Sequence, residues 1–526
     1  MSPARGGRIG LAVLSLALLA GDCGGGDGGG GDPPVFTLES PDARCVALPD
    51  PFGFPPGYDF LPGASGRVLA ATFSRGILVP LDIRRVPFRL AAGAAAYELP
   101  DDSDGNGQPE LLLAIDDVFV VDDDLALVTT SGYESVLFVD PAGGPVSVRV
   151  DVPAVFGADD FRALPDPGES AIQTGFANFT CIVLPAGALD SRGDPVTLEA
   201  CRDGAPSFRA NFTSGAALAA GRLFLAVSNL GEDRGAEDTQ YLPGAVTVYD
   251  LDRSRDPPVA SPVPPADGGP AVLLHPGGFN ASHVQTYVTP GEGRELVLVT
   301  LTGAIGIRDD DPDTPVLEGG AVRLTDGAVD VIDAESLELV ATIPLRGANP
   351  SFRGLALNLE REVAMVGDVT ARQLYAIDLS PLDPLPARGP GEILVLDDAA
   401  IFNGRDPFRV PALPGGAPAA TCPGWIESVV FNWAGDRVYA LEACDGALVT
   451  LDLLPGGGPV RAADFALRGV VPVTAPLRAD TIGLTRLPAA IGVRPGLPGT
   501  DFSGPDVFFT VGDPEGLLCG IRVESP

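Results

Sequence analysis

Three side chains stand out for the chemistry they could carry: His283 in ASHVQTYV, Arg353 in PSFRGLAL and Glu427 in WIESVVF, each near the start of a short apolar segment. A base, an anion binder and a carboxylate could together support hydrolysis of a lactone or ester. No nucleophile elbow, cysteine–histidine pair or zinc spacing accompanies them. Their competing reading is as ordinary polar residues of a channel wall. A second concentration of oxygen donors lies in PDDSDGNGQPELLLA, residues 100–114. Asp102, Asp104 and Asn106 alternate ahead of Gly107, Gln108 offers its backbone carbonyl, and Glu110 follows in the same alternation. Calcium takes about six to eight oxygens, and donors that alternate around a glycine turn can wrap onto one ion. An empty Asx-rich turn is the alternative, and Leu113, where a complete EF-hand loop needs its last carboxylate, excludes that motif. Two long acidic segments complete the inventory: NLGEDRGAEDTQYLPG holds Glu232, Asp233, Glu237 and Asp238, and TGAIGIRDDDPDTPVLEGGAVRLTDG holds Asp309, Asp310, Asp311 and Asp313. They read either as a binding rim for a cationic ligand or protein partner, or as solvated loops.

The composition bounds what these groups can do. A net charge of -36 repels phosphate backbones and anionic headgroups, which excludes nucleic acid as a partner and favours cations and basic surfaces. The chain contains no lysine, so its 34 basic residues are all arginine, and Schiff-base and P-loop chemistry are ruled out. With His275 and His283 as the two histidines, a multi-histidine metal centre is out of reach. Gly 67 and Pro 53 in 526 residues imply frequent turns and short elements, the pattern of an all-β chain.

At the front, Arg5 and Arg8 precede the apolar run IGLAVLSLALLA, too short to span a bilayer and suited to a signal peptide over 1–22. The following LLAGDCGGGDGGGGDPP resembles a bacterial lipoprotein signal, with Asp22 standing between Gly21 and Cys23. That resemblance implies a lipid on Cys23, a flexible Gly/Asp tether over 23–42 and a folded domain over 43–526. The implied location is the outer membrane, periplasm or cell surface, with the anchor as the membrane contact of a monomer. Without lipidation the same segment is a stub on a soluble secreted protein.

The elements that must position these groups repeat. A short apolar strand, a turn and a second strand closing on aspartate recur as VLAATF with ILVPLD, LALVTT with VLFVD, LFLAVSN with AVTVYD, ELVLVTLT with AVDVID, EVAMVGD with QLYAID, and RVYALEA with ALVTLD. A seventh pair, DVFFTV with LLCGIR, lacks the aspartate. Such a repeat predicts four-stranded blades around an axis, a β-propeller of seven blades, with an eighth possible in the long interval from Asp140 to Asp250. Asp82, Asp140, Asp250, Asp333, Asp378 and Asp452 then fall where the third strand turns into the fourth, where a carboxylate can accept from the backbone two residues on.

AVDVIDAESLELVATIPLRGANPSFRGLALNLEREVAMVGD resembles the YVTN-type propeller repeat, and Ala226, Val227, Ser228 and Asn229 approximate the tetrapeptide that names it. The resemblance implies a propeller throughout 66–523 and includes among the expectations lactonase-like enzymes, with divalent-metal dependence as one form. Likewise, residues 102–110 are similar to the short DxDxDGxxD calcium loop of integrin-type propellers, with Asn106 and Glu110 in place of aspartates.

Six cysteines remain after Cys23. Cys422 and Cys444 are symmetric about the turn NWAGD, and Cys181 and Cys201 about LDSRGDP, so hairpin geometry predicts both pairs. Few residues follow LLCGIR, which leaves the last blade without an outer strand of its own; ARCVALP can supply it, and a Cys45–Cys519 bridge would lock the ring. In this architecture the functional groups are expected on the face formed by the loops between strands two and three and the loops entering each inner strand.

Overall fold

A computed structural model describes residues 35–36, 43–48 and, between 56 and 521, the strands and most of the turns joining them. The main segments outside the described residues are 1–34, 37–42, 49–55, 100–114, 142–147, 158–172, 175–181, 184–206, 229–243, 264–270, 309–319, 414–423, 455–459, 474–487, 494–506 and 522–526.

All seven strand pairs form. Arg67–Ala71 pairs with Ile77–Asp82, Leu125–Thr130 with Ser135–Val139, and Arg222–Val227 with Ala245–Asp252. The series continues with Glu295–Leu301 and Gly327–Asp333, Val363–Asp368 and Gln373–Asp378, Arg437–Glu442 and Ala447–Leu453, then Val507–Val511 and Leu517–Ile521. Each pair gains an inner strand before it. These are Gly57–Phe60, Ile115–Asp122, Thr213–Ala219, Ala281–Val288, Pro350–Asn358, Ile426–Phe431 and Pro488–Val493, all antiparallel to their second strand. The seven inner strands lie side by side in chain order, and the last touches the first, so the sheets stand radially around an axis. The fold is a β-propeller.

The core explains why these strands are apolar on both faces. A blade is sandwiched between two neighbours, so successive side chains of one strand enter opposite seams. In Glu295–Leu301, Leu296 and Leu298 join Val340, Leu355 and Val366 between blades four and five, while Val297, Val299 and Leu301 join Phe224, Val246 and Ile332 between blades three and four. Equivalent layers fill every seam, including the last, where Val46, Phe508 and Leu518 of blade seven meet Val68, Ala70 and Val79 of blade one. Truncating one of these fully buried leucines to alanine costs roughly 2–5 kcal/mol.

The count is seven. The inner strands of blades two and three are direct neighbours, and one apolar layer holding Leu127, Phe138, Leu225 and Tyr249 joins those blades, which leaves no place for an eighth. Between them in sequence, Val155–Gly157 pairs with Ser207–Arg209 and Gln173–Thr174 with Ile182–Val183, as separate two-stranded ribbons.

Closure follows the expected register. Ala43–Ala47 pairs antiparallel with Leu517–Ile521 as the outer strand of blade seven, Cys45 lies opposite Cys519, and the two form a disulfide. Val35–Phe36 adds a further short strand outside it. Cys444 is fully buried and also disulfide-bonded, whereas Cys422, Cys181, Cys201 and Cys23 lie outside the described residues.

The recurring aspartates turn the chain. Asp82 accepts from the Arg84 N–H at 3.0 Å, Asp333 from Glu335 and Ser336 at 3.1 and 2.8 Å, and Asp378 from Ser380 at 3.0 Å. Several also pair with an arginine at the start of the neighbouring second strand: Arg222 with Asp250, Arg294 with Asp333 and Arg437 with Asp452, at 3.2, 2.8 and 2.9 Å.

Candidate functional site

Inner strands of a propeller diverge along the axis, and their backbones scarcely bond to one another. Here one parallel bridge, Arg353 opposite Ser428, links blades five and six. Side chains do the rest of the stitching. Ser428 donates to the Arg353 carbonyl at 2.9 Å, Thr286 to Leu218 at 2.9 Å, and Asp59 of blade one accepts from the Val120 N–H of blade two at 2.8 Å. Blade three presses against blade four: a Cβ on Gly215 would stand 3.1 Å from the Val284 nitrogen and 3.3 Å from the His283 Cα. Its inner strand accordingly gives only Ala216 to the axial wall.

The space left is a cavity of about 630 Å³. It gathers Asp59 from blade one, Asp117 from blade two, His283 and Gln285 from blade four, Arg353 from blade five and Ser428 from blade six. Burial dominates their protonation. It pushes the Asp59 carboxyl up to about 7, against the hydrogen bonds from Val120 and Phe60, with the charge of Asp117 adding to the rise. Burial also raises Asp117, partly offset by the Arg353 guanidinium and the Val118 N–H. The same desolvation, helped by Arg353, lowers His283 to about 4. At neutral pH the wall therefore presents a neutral imidazole, a guanidinium, and two carboxyls for which ionisation is costly.

Of the three side chains singled out in sequence, His283 and Arg353 meet in this cavity. Glu427 is apart from it: only 6% exposed, it accepts from the Trp425 indole N–H. Neighbouring strand residues alternate in direction, and Ser428 rather than Glu427 takes the axial position on blade six. Asp59 and Asp117 were not anticipated. Their signal was present in GYDF and IDDVFVV, where a charge interrupts an otherwise apolar strand.

The orientation also differs from expectation. The cavity runs along the inner strands of blades five and six and includes the turns that follow them, Asn358 to Glu360 and Asn432 to Gly435. These turns join strand one to strand two, on the face opposite the loops between strands two and three. At this mouth Trp433 is 74% exposed and Leu359 is 49% exposed. The two turns are tied together. Asn358 donates from Nδ2 to the Gly435 carbonyl at 2.7 Å, and Gly435 has a positive φ of 69° with no room for a Cβ beside that amide.

On the other face, the blade-four loop begins as a two-stranded ribbon, Ile305–Arg308 with Gly320–Arg323. Asp309, Asp310, Asp311 and Asp313 at its tip lie outside the described residues, as do Glu232, Asp233, Glu237 and Asp238 of blade three. The same holds for Asp102, Asp104, Asn106, Gln108 and Glu110 of the calcium-type loop. Among the described residues no three histidine, cysteine or carboxylate side chains converge to hold a metal.

No family model matches the chain, and no curated protein matches it. Among solved structures it is similar to the β-propeller domain of Cps50 (Swd1) from Myceliophteria thermophila, at 12% identity and TM-score 0.43, covering 89% of this chain and 96% of that one. It is also similar to Saccharomyces cerevisiae Sqt1, at 9% identity and TM-score 0.39, covering 91% and 98%. A third is apo AztD from Citrobacter koseri, at 11% identity and TM-score 0.37, covering 83% and 93%.

Proposed function

We propose that this propeller is a non-enzymatic binding module that takes a ligand into its axial cavity and works at the cell envelope, exported through residues 1–22 and anchored by a lipid on Cys23. The observation that carries the reading is a charged cavity whose hydroxyls are already committed. Tyr58 donates to the Phe508 carbonyl at 2.8 Å and Ser428 to the Arg353 carbonyl at 2.9 Å, so neither is poised as a nucleophile. The acidic loops of blades three and four serve as an outer rim that attracts cations. Residues 102–110 form a structural calcium clasp between blades one and two. A calcium titration that raises the melting temperature, and no longer does so in Asp104→Ala, tests the clasp. Release of the protein from membranes in Cys23→Ser tests the anchor.

A second reading, a lactonase-like propeller hydrolase of the YVTN type, is favoured by one observation: His283 stays neutral at physiological pH beside Arg353. A neutral imidazole can take a proton from water while a guanidinium stabilises the developing oxyanion. A lactone and ester panel decides between the two. Turnover that disappears in both His283→Ala and Arg353→Met establishes the hydrolase. Absence of turnover, with ligand binding retained, establishes the binding module.

A further inference from the structure

We propose that the axial cavity takes an organic monocation, an amine on an apolar body, with the ammonium set against Asp59 and Asp117 and the body lying along the wall that leads to Trp433. The inference rests on reading this cavity as a ligand site and adds the chemical class of the ligand.

Charge balance is the first argument. The wall carries the carboxyls of Asp59 and Asp117 inside and of Glu360 at the mouth against one guanidinium, since His283 is held neutral and adds no second cation. Arg353 acts on Asp117 and on His283, while the charge that acts on Asp59 is that of another carboxylate, Asp117. A cationic ligand lets both inner carboxylates ionise at once; an anionic one would make the ionisation of either still more costly. Hydrogen bonding is the second. The Gln285 Oε1 on the same wall is fully buried and, among the described residues, accepts from no donor. An ammonium group is donor-only, and it can serve this carbonyl and a carboxylate together. Shape is the third. Leu355, Leu357, Phe431 and Trp433 continue the wall to a mouth shared with Asn358, Glu360 and Asn432, so an apolar strip leads from the inner carboxyls to the opening. The volume of about 630 Å³ suits a ligand of several rings or residues rather than an ion. The net charge of -36 draws cations toward the molecule from a distance.

The test is calorimetric titration of the whole exported chain with three matched probes: phenylalanyl-leucinamide, a monocation; its N-acetyl derivative, neutral; and N-acetyl-phenylalanyl-leucine, an anion. The amide is expected to bind at least tenfold more tightly than the neutral probe, and the anion not to bind. Phenethylamine serves as a fourth probe. Equal affinity for it assigns the site to small amines, and a tenfold advantage for the dipeptide amide assigns it to peptide amino termini. Asp117→Asn is expected to erase the advantage of the cation. Because the aspartates face backbone groups and their variants can disturb folding, Trp433→Ala provides a second arm at an exposed position, with affinity for the amide falling several-fold and the melting temperature unchanged. Tighter binding of the neutral or anionic probe overturns the cation assignment while leaving the cavity a ligand site. Failure of all four probes to bind overturns both.

Discussion

The aspartates of the outer turns and those of the axis are the same residue in the same fold, yet they behave in opposite ways. Asp82, at the rim, has its carboxyl held below the usual range by hydrogen bonds from Arg84. Asp397 is held low in the same manner by Arg346. Asp59, on an inner strand, is pushed up to about 7 by burial. The rim residues close turns and face water, where a nearby guanidinium costs little to recruit. At the axis the strands converge, water is displaced, and a carboxylate keeps its charge only at a cost. Position along the blade radius thus decides whether an aspartate is a fastener or a group that keeps its charge only at a cost.

Five substitutions test that contrast. Replacing Arg353 by methionine removes the guanidinium that offsets the burial of Asp117, and a loss of about 3 kcal/mol in denaturant stability is expected, as for other buried charges deprived of a partner. Rim and axis should then be separable by pH. His283 is lowered from 6.5 in the unfolded chain to about 4 in the fold, so its contribution is complete above pH 6.5 and lost as pH falls toward 4, worth on the order of 3 kcal/mol. Asp59 runs the other way: raised from 3.8 to about 7, it favours the fold below pH 3.8 and loses that contribution as pH rises through 7. The two oppose each other between pH 4 and 6.5. Urea titrations should therefore show stability rising with pH in Asp59→Asn and falling with pH in His283→Gln. Parallel slopes in the two variants would break the contrast.

The rim effects are smaller. Asp333→Ala removes two turn hydrogen bonds and the Arg294 pair, an expected cost of about 1–2 kcal/mol by chemical denaturation. Asp82→Ala, at a more exposed turn, should cost only about 0.5 kcal/mol. It should also remove a contribution that disappears below pH 3.8, because the folded carboxyl there is lowered rather than raised.

The blades were legible because both faces of each strand are buried, so VLVTL or VAMVG announces itself as a continuous apolar run bounded by turns. The outer strand of blade seven was legible in ARCVALP, whose cysteine marked its register against LLCGIR. The site was less so. His283 and Arg353 could be picked out as polar residues on inner strands, but choosing Glu427 over Ser428 requires knowing which alternate position faces the axis. A single bulge reverses that choice, and the strand Ile426–Phe431 carries one between Ile426 and Ser428. Which end of the channel opens depends on side-chain volumes distributed over several blades, such as the small Ala216 and the larger Arg353 and Leu355 that line one cavity, and no local pattern encodes it.

The pairing of Ala43–Ala47 with Leu517–Ile521 also imposes a schedule on the molecule. Cys45 and Cys519 are 474 residues apart, so a ribosome makes the first of these strands long before the second, and the earlier strand must wait for the later. Until then Val46 and Leu48 have no complete layer to enter, and Phe508 and Leu518, once made, lack one wall of theirs. Blades two to six can assemble from neighbours already present, whereas the junction of blades seven and one is the last event that composition permits. A chain truncated before Leu517 would therefore be left as an open arc with two unsatisfied ends, the form most prone to associate with another copy of itself.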